Sequence, residues 1–362
     1  MWNKIQYGLI FAWAKLHAFL PMSVLYVLSD ILYVLIYWVI RYRIKVVRRN
    51  LEASFPDKSE IELRRLEKAF YHHFADYIVE TIKLAHISPE EVLRRAHIKN
   101  PEVATRLQAE GQNTVMMLMG HYGNWEWFSA SSLVYTDSRL WQIYRPLNNK
   151  AVDRLFIYLR TRFGSYGMKK NDTVRDMMKL KREGSNNIVI FIADQTPSKA
   201  NLHYWTTFLN QDTAILNGAE RIARKLDLPV IFLDVQKVKR GYYTVEMKLM
   251  TAHAKETAEN EITESYARMT EKIIGSGRIN AGNTNEKMQS NTKKVAIVIL
   301  NWNGTKLMEE FLPSVVDYSP AELSEVIVAD NGSNDKSVNM LKEKFPSVRI
   351  IQLDKNYGFA EG

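Results

Sequence analysis

The chain has 362 residues, of which 46% are hydrophobic and 25% charged, so it can bury the core of one large domain or two ordinary ones. It contains no cysteine, which excludes disulfides, thiolate metal sites and a cysteine acyl-enzyme. The net charge of +9 is compatible with nucleic acid, an anionic membrane or an acidic partner protein, and the position of the charges must decide among these partners.

The N-terminal 50 residues are apolar and end in a basic cluster. Between Ile5 and Ile40 the only charged or titratable groups apart from tyrosines are Lys15, His17 and Asp30, and arginines and lysines follow directly from Arg41. This order is typical of a membrane anchor on the cytoplasmic side and favours an anionic membrane over nucleic acid as partner. Because Asp30 interrupts the run of about 20 apolar residues that a span needs, residues 1–50 are predicted to form an interfacial or partly embedded helical hairpin. The alternative is a helix pair buried in the domain core.

A long helical pattern, Glu60–Ala85, opens the next region. It carries His72 and His73 side by side, so they point to different faces of the helix, and both are interpreted as ordinary helix residues. Beyond it, apolar strand-like runs alternate with helical patterns, which indicates an α/β fold with a mainly parallel sheet flanked by helices. The last strand pair is expected to add an antiparallel edge. The predicted strands are Thr114–Met119, Leu140–Tyr144, Asn187–Ala193, Pro229–Val235 and Tyr242–Leu249. The predicted helices are Glu126–Val134, Lys150–Phe163, Val174–Glu183, Leu216–Leu226 and Glu261–Ile274.

The first of these strands runs into Gly120 and His121, and Glu126 follows five residues after the histidine. In a uniform helix the two side chains would lie about 140° apart, so they meet only if the backbone breaks, which Gly120 and Gly123 permit. His121 is then placed just past the carboxyl end of a strand, where ligands bind in open α/β sheets. A carboxylate that holds one imidazole nitrogen makes the other a better proton acceptor, and so predicts a general base. The alternative is a buried histidine bonded to a helix-capping glutamate.

The string Gly120-His121-Tyr122-Gly123-Asn124-Trp125-Glu126 contains the HX4E motif of glycerolipid-type acyltransferases. In this wider form it resembles the lipid A biosynthesis (lauroyl/myristoyl) acyltransferase family of Gram-negative bacteria, over about residues 1–274. The resemblance implies transfer of a fatty acyl chain from an acyl carrier protein thioester to a hydroxyl of a lipid A precursor. The expected place is the cytoplasmic face of the bacterial inner membrane, with His121 as general base, Glu126 as its partner, and no metal or other cofactor.

The resemblance implies further site residues. The side chain of Asn124, or backbone amides of the turn, would stabilise the oxyanion. Arg145, which follows a predicted strand, would face an acidic headgroup or the phosphopantetheine of the carrier, although a surface salt bridge is the alternative. Asp194 and Gln195 follow another strand and would bind the acceptor sugar or support the site, and a structural role in the turn is equally compatible. A basic run from Arg160 to Arg175 fits either an acidic carrier protein or a solvated face.

Residues 275–294 have the polar, small-residue composition of a linker. Residues 295–362 then resemble the first part of a family 2 glycosyltransferase, a partial Rossmann-like βαβαβ fold. In this resemblance Asp330, at a strand end, would bind the nucleotide sugar, and Asn356–Ala360 forms the second matching phrase. The match stops before the metal-binding acidic motif and the catalytic base of such enzymes, so the tail is not expected to transfer sugar by itself. The abrupt change after Ile274 predicts a fused or frameshifted reading frame.

Besides a glycosyltransferase function for the whole chain, two rival interpretations stay open at the level of sequence. One is acylation of another lipid acceptor, such as a lysophospholipid or aminolipid, in which His121 and Glu126 would work identically. The other is an inactive fusion product or membrane scaffold. The sequence likewise leaves open the acyl chain length, the hydroxyl that is acylated, and whether the donor carrier is a protein or coenzyme A.

Overall fold

A computed structural model describes residues 2–195, 197, 203–275, 295–317, 319 and 324–356. By their internal contacts, residues 1–284 form one unit and residues 285–362 a second. Both units are built from strands covered by helices, as the alternating pattern predicts, and each is described by itself.

Helices form the N-terminal part of the first unit. They are α1 (Trp2–Phe19), α2 (Met22–Val34), α3 (Ile44–Ser54) and α4 (Glu60–Lys83), and α2 continues into a wider turn of π-helix at Leu35–Ile40. A capping box starts α4, because the Ser59 side chain accepts from the Glu62 amide while the Glu62 carboxylate accepts from the Ser59 amide. All three preceding helices pack on α4, and Ala14, Ala18 and Leu25 belong to the same buried cluster as the sheet.

The remaining elements of the first unit alternate as expected, with a few short additions. The later helices are α5 (Pro89–Arg95), α6 (Glu102–Ala109), α7 (Lys150–Thr161), α8 (Thr173–Glu183), α9 (Gly218–Leu226) and α10 (Glu261–Gly275). The strands are β1 (Ala96–Ile98), β2 (Thr114–Met119), β3 (Arg139–Tyr144), β4 (Tyr166–Lys169), β5 (Asn187–Ile192), β6 (Trp205–Phe208), β7 (Gln211–Ala214), β8 (Val230–Lys239) and β9 (Tyr242–Thr251). The segment predicted as helix Glu126–Val134 is a 3-10 helix, Trp125–Leu133.

Within the described residues, seven strands form one sheet in the order β1-β9-β8-β2-β5-β3-β4. The strand pairs are parallel except β8 with β9, which is antiparallel as expected. The prediction that this pair ends the sheet is wrong, because the three-residue strand β1 adds to the outer side of β9. The central strand β2 is buried at every position, since helices cover both of its faces.

The second unit is a small parallel sheet with two helices. Its strands are β10 (Val295–Asn301), β11 (Ser324–Asp330) and β12 (Arg349–Gln352), joined by α11 (Thr305–Asp317) and α12 (Ser337–Lys344). They pair in the order β10-β11-β12. Buried residues from β11 and both helices, including Val328, Leu312 and Leu341, form its core.

The N-terminal helices keep one face outside the core. Large apolar side chains on this face are 36–69% exposed: Ile5, Leu9, Trp13, Leu16, Phe19, Val24, Val27, Leu28, Ile31, Val34, Leu35, Trp38, Val39 and Ile40. We call this set the apolar face of α1 and α2. In the described part of the chain, one helical segment, Met22–Ile40, is long and apolar enough to cross a membrane, and 28% of it is buried.

Candidate active site

His121 lies at the carboxyl edge of the parallel sheet, two residues beyond the end of β2 and directly after Gly120. The neighbouring strand β5 ends level with β2, because Met119 pairs with Ile192 in the parallel register. Asp194 therefore emerges beside His121, although the two are 73 residues apart in the chain. The edge at which the strands end is the expected place for a ligand site in such a sheet.

The carboxylate of Asp194 holds His121 by two contacts. Asp194 Oδ1 lies 2.5 Å from His121 Nδ1, and Oδ2 accepts from the His121 backbone amide at 2.7 Å. Gly120 favours this close approach, since a Cβ there would lie 3.2 Å from Asp194 Oδ2 and the carboxylate would have to shift by a few tenths of an ångström. A proton on Nδ1 leaves Nε2 with its lone pair, and Nε2 lies 3.4 Å from the amide nitrogen of Gln195. His121 and Asp194 are partly exposed, their side chains at 28% and 25%.

Glu126 has a different partner from the one predicted. Its carboxylate is 2% exposed and accepts from Arg160 Nε at 2.7 Å and Nη2 at 2.5 Å. The reason is local, because the turn leads into a 3-10 helix whose first residues direct Glu126 toward α7, where Arg160 lies. The structure thus gives Asp194, and not Glu126, as the acid on Nδ1 of His121. Because Arg160 pairs with Glu126, we no longer count it in the basic run that the sequence suggested as a docking face for an acidic carrier protein.

Asn124 lies beneath the turn. Its side chain is fully buried and donates from Nδ2 to Glu80 Oε2 at 3.0 Å, so it is directed away from the position expected for an oxyanion donor. Gly123 precedes it with φ of 67°, and a Cβ there would lie 2.9 Å from the Tyr243 ring. This left-handed residue turns the chain sharply between His121 and Asn124.

His73, interpreted from the sequence as an ordinary helix residue, contacts the same turn. Its Nε2 lies 3.2 Å from the carbonyl oxygen of Gly123, and Lys237 Nζ lies 3.4 Å from its Nδ1. Burial, reinforced by the Lys237 charge, lowers the pKa of His73 to about 4. The neutral ring can therefore donate to Gly123 and accept from Lys237 at the same time. No spacing in the sequence indicates these contacts, because α4 is packed against the turn only in the folded chain.

A cleft of about 1450 Å³ opens in front of His121. One wall is apolar and comes from α4 and α7: Phe70, Phe74, Tyr77, Phe156 and Ile157. Polar side chains line another part, including Asp194, Gln195 and Glu126. Arg145, which follows β3, and Lys170 are exposed cations of the lining. The cleft therefore combines an apolar wall, a histidine–aspartate pair and positive charge.

Asp330 belongs to the second unit and is fully buried. Its Oδ1 accepts from Asn301 Nδ2 at 2.7 Å and from Ser333 Oγ at 2.5 Å, and its Oδ2 accepts from the Ser333 amide at 3.0 Å. The carboxylate thus organises the turn after β11, and nucleotide-sugar binding by Asp330 stays a prediction. Most of the second matching phrase, residues 357–360, lies outside the described residues.

The fold and the site define a class of protein: an α/β domain that presents a histidine–aspartate pair at the carboxyl edge of a parallel sheet, facing a deep, partly apolar cleft. Residues 3–277 match the family of bacterial lipid A biosynthesis acyltransferases, and the chain belongs to this family. Residues 296–362 match glycosyl transferase family 2. Both matches confirm the predicted resemblances and the fused organisation. A search of curated proteins found no match.

Proposed function

We propose that the chain moves a fatty acyl group from an acyl carrier protein thioester to a hydroxyl of a lipid A precursor. The observation that carries the proposal is the His121–Asp194 pair at the edge of a cleft with an apolar wall. Membership of the family supports an acyltransferase with a lipid acceptor and an acyl donor. The particular donor, acceptor and residue roles are our inference.

The proposed reaction needs one base and no covalent enzyme intermediate. His121 Nε2 takes the proton from the acceptor hydroxyl while its oxygen attacks the thioester carbonyl. Asp194 holds the ring by Nδ1 and stabilises the imidazolium that forms. When the tetrahedral intermediate collapses, the C–S bond breaks and the imidazolium returns the proton to the leaving thiolate. Gln195 must release Nε2 before the hydroxyl binds there, since its amide lies 3.4 Å away.

The other site residues are assigned by their position in the cleft. The amide of His121 is bonded to Asp194, so we assign oxyanion stabilisation to the remaining backbone amides of the turn. Arg145 and Lys170 are placed to attract a phosphate, which both a lipid A precursor and phosphopantetheine carry. Glu126 supports the site through its ion pair with Arg160.

We place the enzyme at the cytoplasmic face of the inner membrane, with residues 1–50 as its membrane-associated part and residues 51–274 as the acyltransferase domain. The apolar face of α1 and α2 supports this assignment, and so do Arg41, Arg43 and Lys45 directly after it. The mode of association proposed is interfacial, because the inner sides of these helices pack on α4.

The test is acyl transfer by the full chain in anionic lipid vesicles, with acyl carrier protein thioester as donor and a lipid A precursor as acceptor. Mass spectrometry should show a product heavier by one acyl chain with wild type and none with His121→Ala. The matched control is His253→Ala, because His253 Nδ1 also faces an aspartate, Asp227 at 3.4 Å, on the exposed surface. Equal product from wild type and His121→Ala would exclude His121 as the base. Product with a lysophospholipid alone would move the proposal to another acceptor, and coenzyme A thioesters in parallel identify the donor.

A further inference from the structure

A buried carboxylate, Glu80 on α4, lies directly beneath the turn that carries His121. Its Oε1 accepts from the Tyr26 hydroxyl at 3.0 Å, and its Oε2 accepts from the Tyr243 hydroxyl at 2.9 Å and from Asn124 Nδ2 at 3.0 Å. Three separate elements, α2, β9 and the turn, thus meet on one side chain. We call the connection Tyr26–Glu80–Asn124 the Glu80 link.

Packing alone does not account for this group. Glu80 is fully buried, and burial raises its pKa to about 7. An apolar side chain of the same volume would fill the space without that desolvation penalty. What the carboxylate adds is direction, since each donor must sit at a fixed angle to one of its oxygens. Glu80 therefore fixes α2 and the turn relative to each other.

On the far side of the link, Tyr26 is tightly enclosed. A Cβ on Gly241 would lie 1.7 Å from the Tyr26 hydroxyl, and the Arg240 guanidinium lies 4.4 Å from the centre of its ring. Arg240 in turn bonds Asp30 on α2 and Asp76 on α4. The inner edge of α2 is consequently held by polar contacts, while its outer side exposes residues such as Val27 and Ile31 at 59% and 61%.

We propose that Glu80 is a positioning residue that ties the seating of α2 on an anionic bilayer to the conformation of the His121 turn. A bilayer that binds the apolar face of α2 fixes the position of Tyr26, whose hydroxyl orients the Glu80 carboxylate. Glu80 in turn holds the side-chain amide of Asn124, three residues after His121. The inference rests on the proposed function and adds a regulator to it, namely the bilayer itself.

The chain offers a matched control for the Glu80 link. Tyr37, just beyond α2, donates to Glu67 Oε1 on α4 at 2.8 Å, so it joins the same two parts of the molecule by the same kind of bond. The other carboxylate contacts of Glu67 run to Arg48 and Arg64, and not to the turn. Tyr37→Phe therefore removes a comparable bond without touching the link.

The first experiment measures steady-state acyl transfer by full-length variants in anionic vesicles. Tyr26→Phe and Glu80→Gln are expected to lower kcat by about 10-fold or more with KM changed less than about twofold, because a small misplacement of the base slows chemistry without weakening binding. Tyr37→Phe should stay within about twofold of wild type. Equal losses in Tyr26→Phe and Tyr37→Phe, or unchanged kcat in Tyr26→Phe, would overturn the proposal.

The second experiment does not depend on acyl transfer. Hydrogen–deuterium exchange of the backbone amides of residues 120–126 is followed with and without vesicles of phosphatidylglycerol and phosphatidylethanolamine. Vesicles should slow exchange in wild type and Tyr37→Phe, whereas Tyr26→Phe should bind vesicles without that slowing. Failure of the wild type to bind vesicles, or equal slowing in all three proteins, would overturn the link. If no protein transfers acyl groups but exchange follows this pattern, the proposed function fails and the link stands.

Discussion

Two turns in this molecule have the same place in the fold and different surroundings. The His121 turn follows β2 and the Asp330 turn follows β11, each at the carboxyl end of a strand in a parallel sheet. In each turn, a side chain at or just past the end of the neighbouring strand forms a hydrogen bond with the turn residue. Asp194 contacts His121, and Asn301 contacts Asp330. Because Asp194 bonds Nδ1 of His121, Nε2 faces the cleft. At Asp330, in contrast, Ser333 donates hydrogen bonds to both carboxylate oxygens. The two turns therefore share a position but differ in exposure: His121 Nε2 faces the cleft, 3.4 Å from the side-chain amide of Gln195, whereas the Asp330 side chain is fully buried.

The largest expected effect comes from removing His121, the side chain that the first turn presents to the cleft. His121→Ala should lower kcat by about 10³-fold or more, and Asp194→Asn by about 10²-fold, since general-base catalysis contributes on the order of 10²–10⁴. Single-turnover acyl transfer with matched protein concentrations measures both. A smaller loss for His121→Ala than for Asp194→Asn would contradict the assignment of the base.

The second prediction separates the two acids near this turn. Glu126→Gln should lower the free energy of unfolding by about 2–3 kcal/mol, because it leaves the partly buried Arg160 without its charge partner. The melting temperature should then fall by about 4–10 °C, whereas Asp194→Asn, at an exposed edge, should change it little. Thermal unfolding followed by circular dichroism measures this difference. Equal shifts for the two variants would show that Asp194 is structural as well.

The Asp330 turn should respond in stability and not in acyl transfer. Asp330→Ala removes three accepted hydrogen bonds from a buried turn and should destabilise the second unit by about 2 kcal/mol or more. Hydrogen–deuterium exchange across residues 324–344 measures the change, with acyl transfer as the control that stays unchanged. Calorimetric titration with a nucleotide sugar tests the predicted ligand role separately: binding by wild type that Asp330→Ala abolishes would show that the turn is also a site.

The smallest effect concerns the pH dependence of the stability that His73 contributes through its contact with the Gly123 carbonyl. The pKa of His73 is about 4 in the folded chain and 6.5 when unfolded, so the unfolded chain binds more protons between these values. Stability from neutral His73 is complete above about pH 6.5 and is lost as the pH falls toward 4, by about 1–3 kcal/mol. The raised pKa of Glu80 makes stability change with pH in the opposite direction to His73. Because Glu80 is present in both proteins, its effect cancels when the free energy of unfolding of His73→Gln is subtracted from that of wild type at each pH. A flat difference would contradict the buried, neutral state of His73.

Much of this fold follows from local sequence. The apolar run of β2 and the break at Gly120 and Gly123 place His121 at a strand end, and the predicted strands agree with the structure within a few residues, apart from the carboxyl end of β8. The partner of His121 does not follow, since it depends on which strand lies beside β2. Glu126 is closer in sequence, but the backbone directs it to Arg160. The short strands β1 and β4 carry too few residues to show a pattern, and the contact of His73 with the turn arises only when α4 packs.

The apolar face of α1 and α2 also decides how the protein behaves in a test tube. The exposed leucine, isoleucine, valine and tryptophan side chains of this face favour association with other apolar surfaces. In buffer without lipid or detergent, we expect the chains to cover this face with one another. An oligomer formed under such conditions should dissociate when a mild detergent is added. Its size would then reflect the solvent and not a biological assembly.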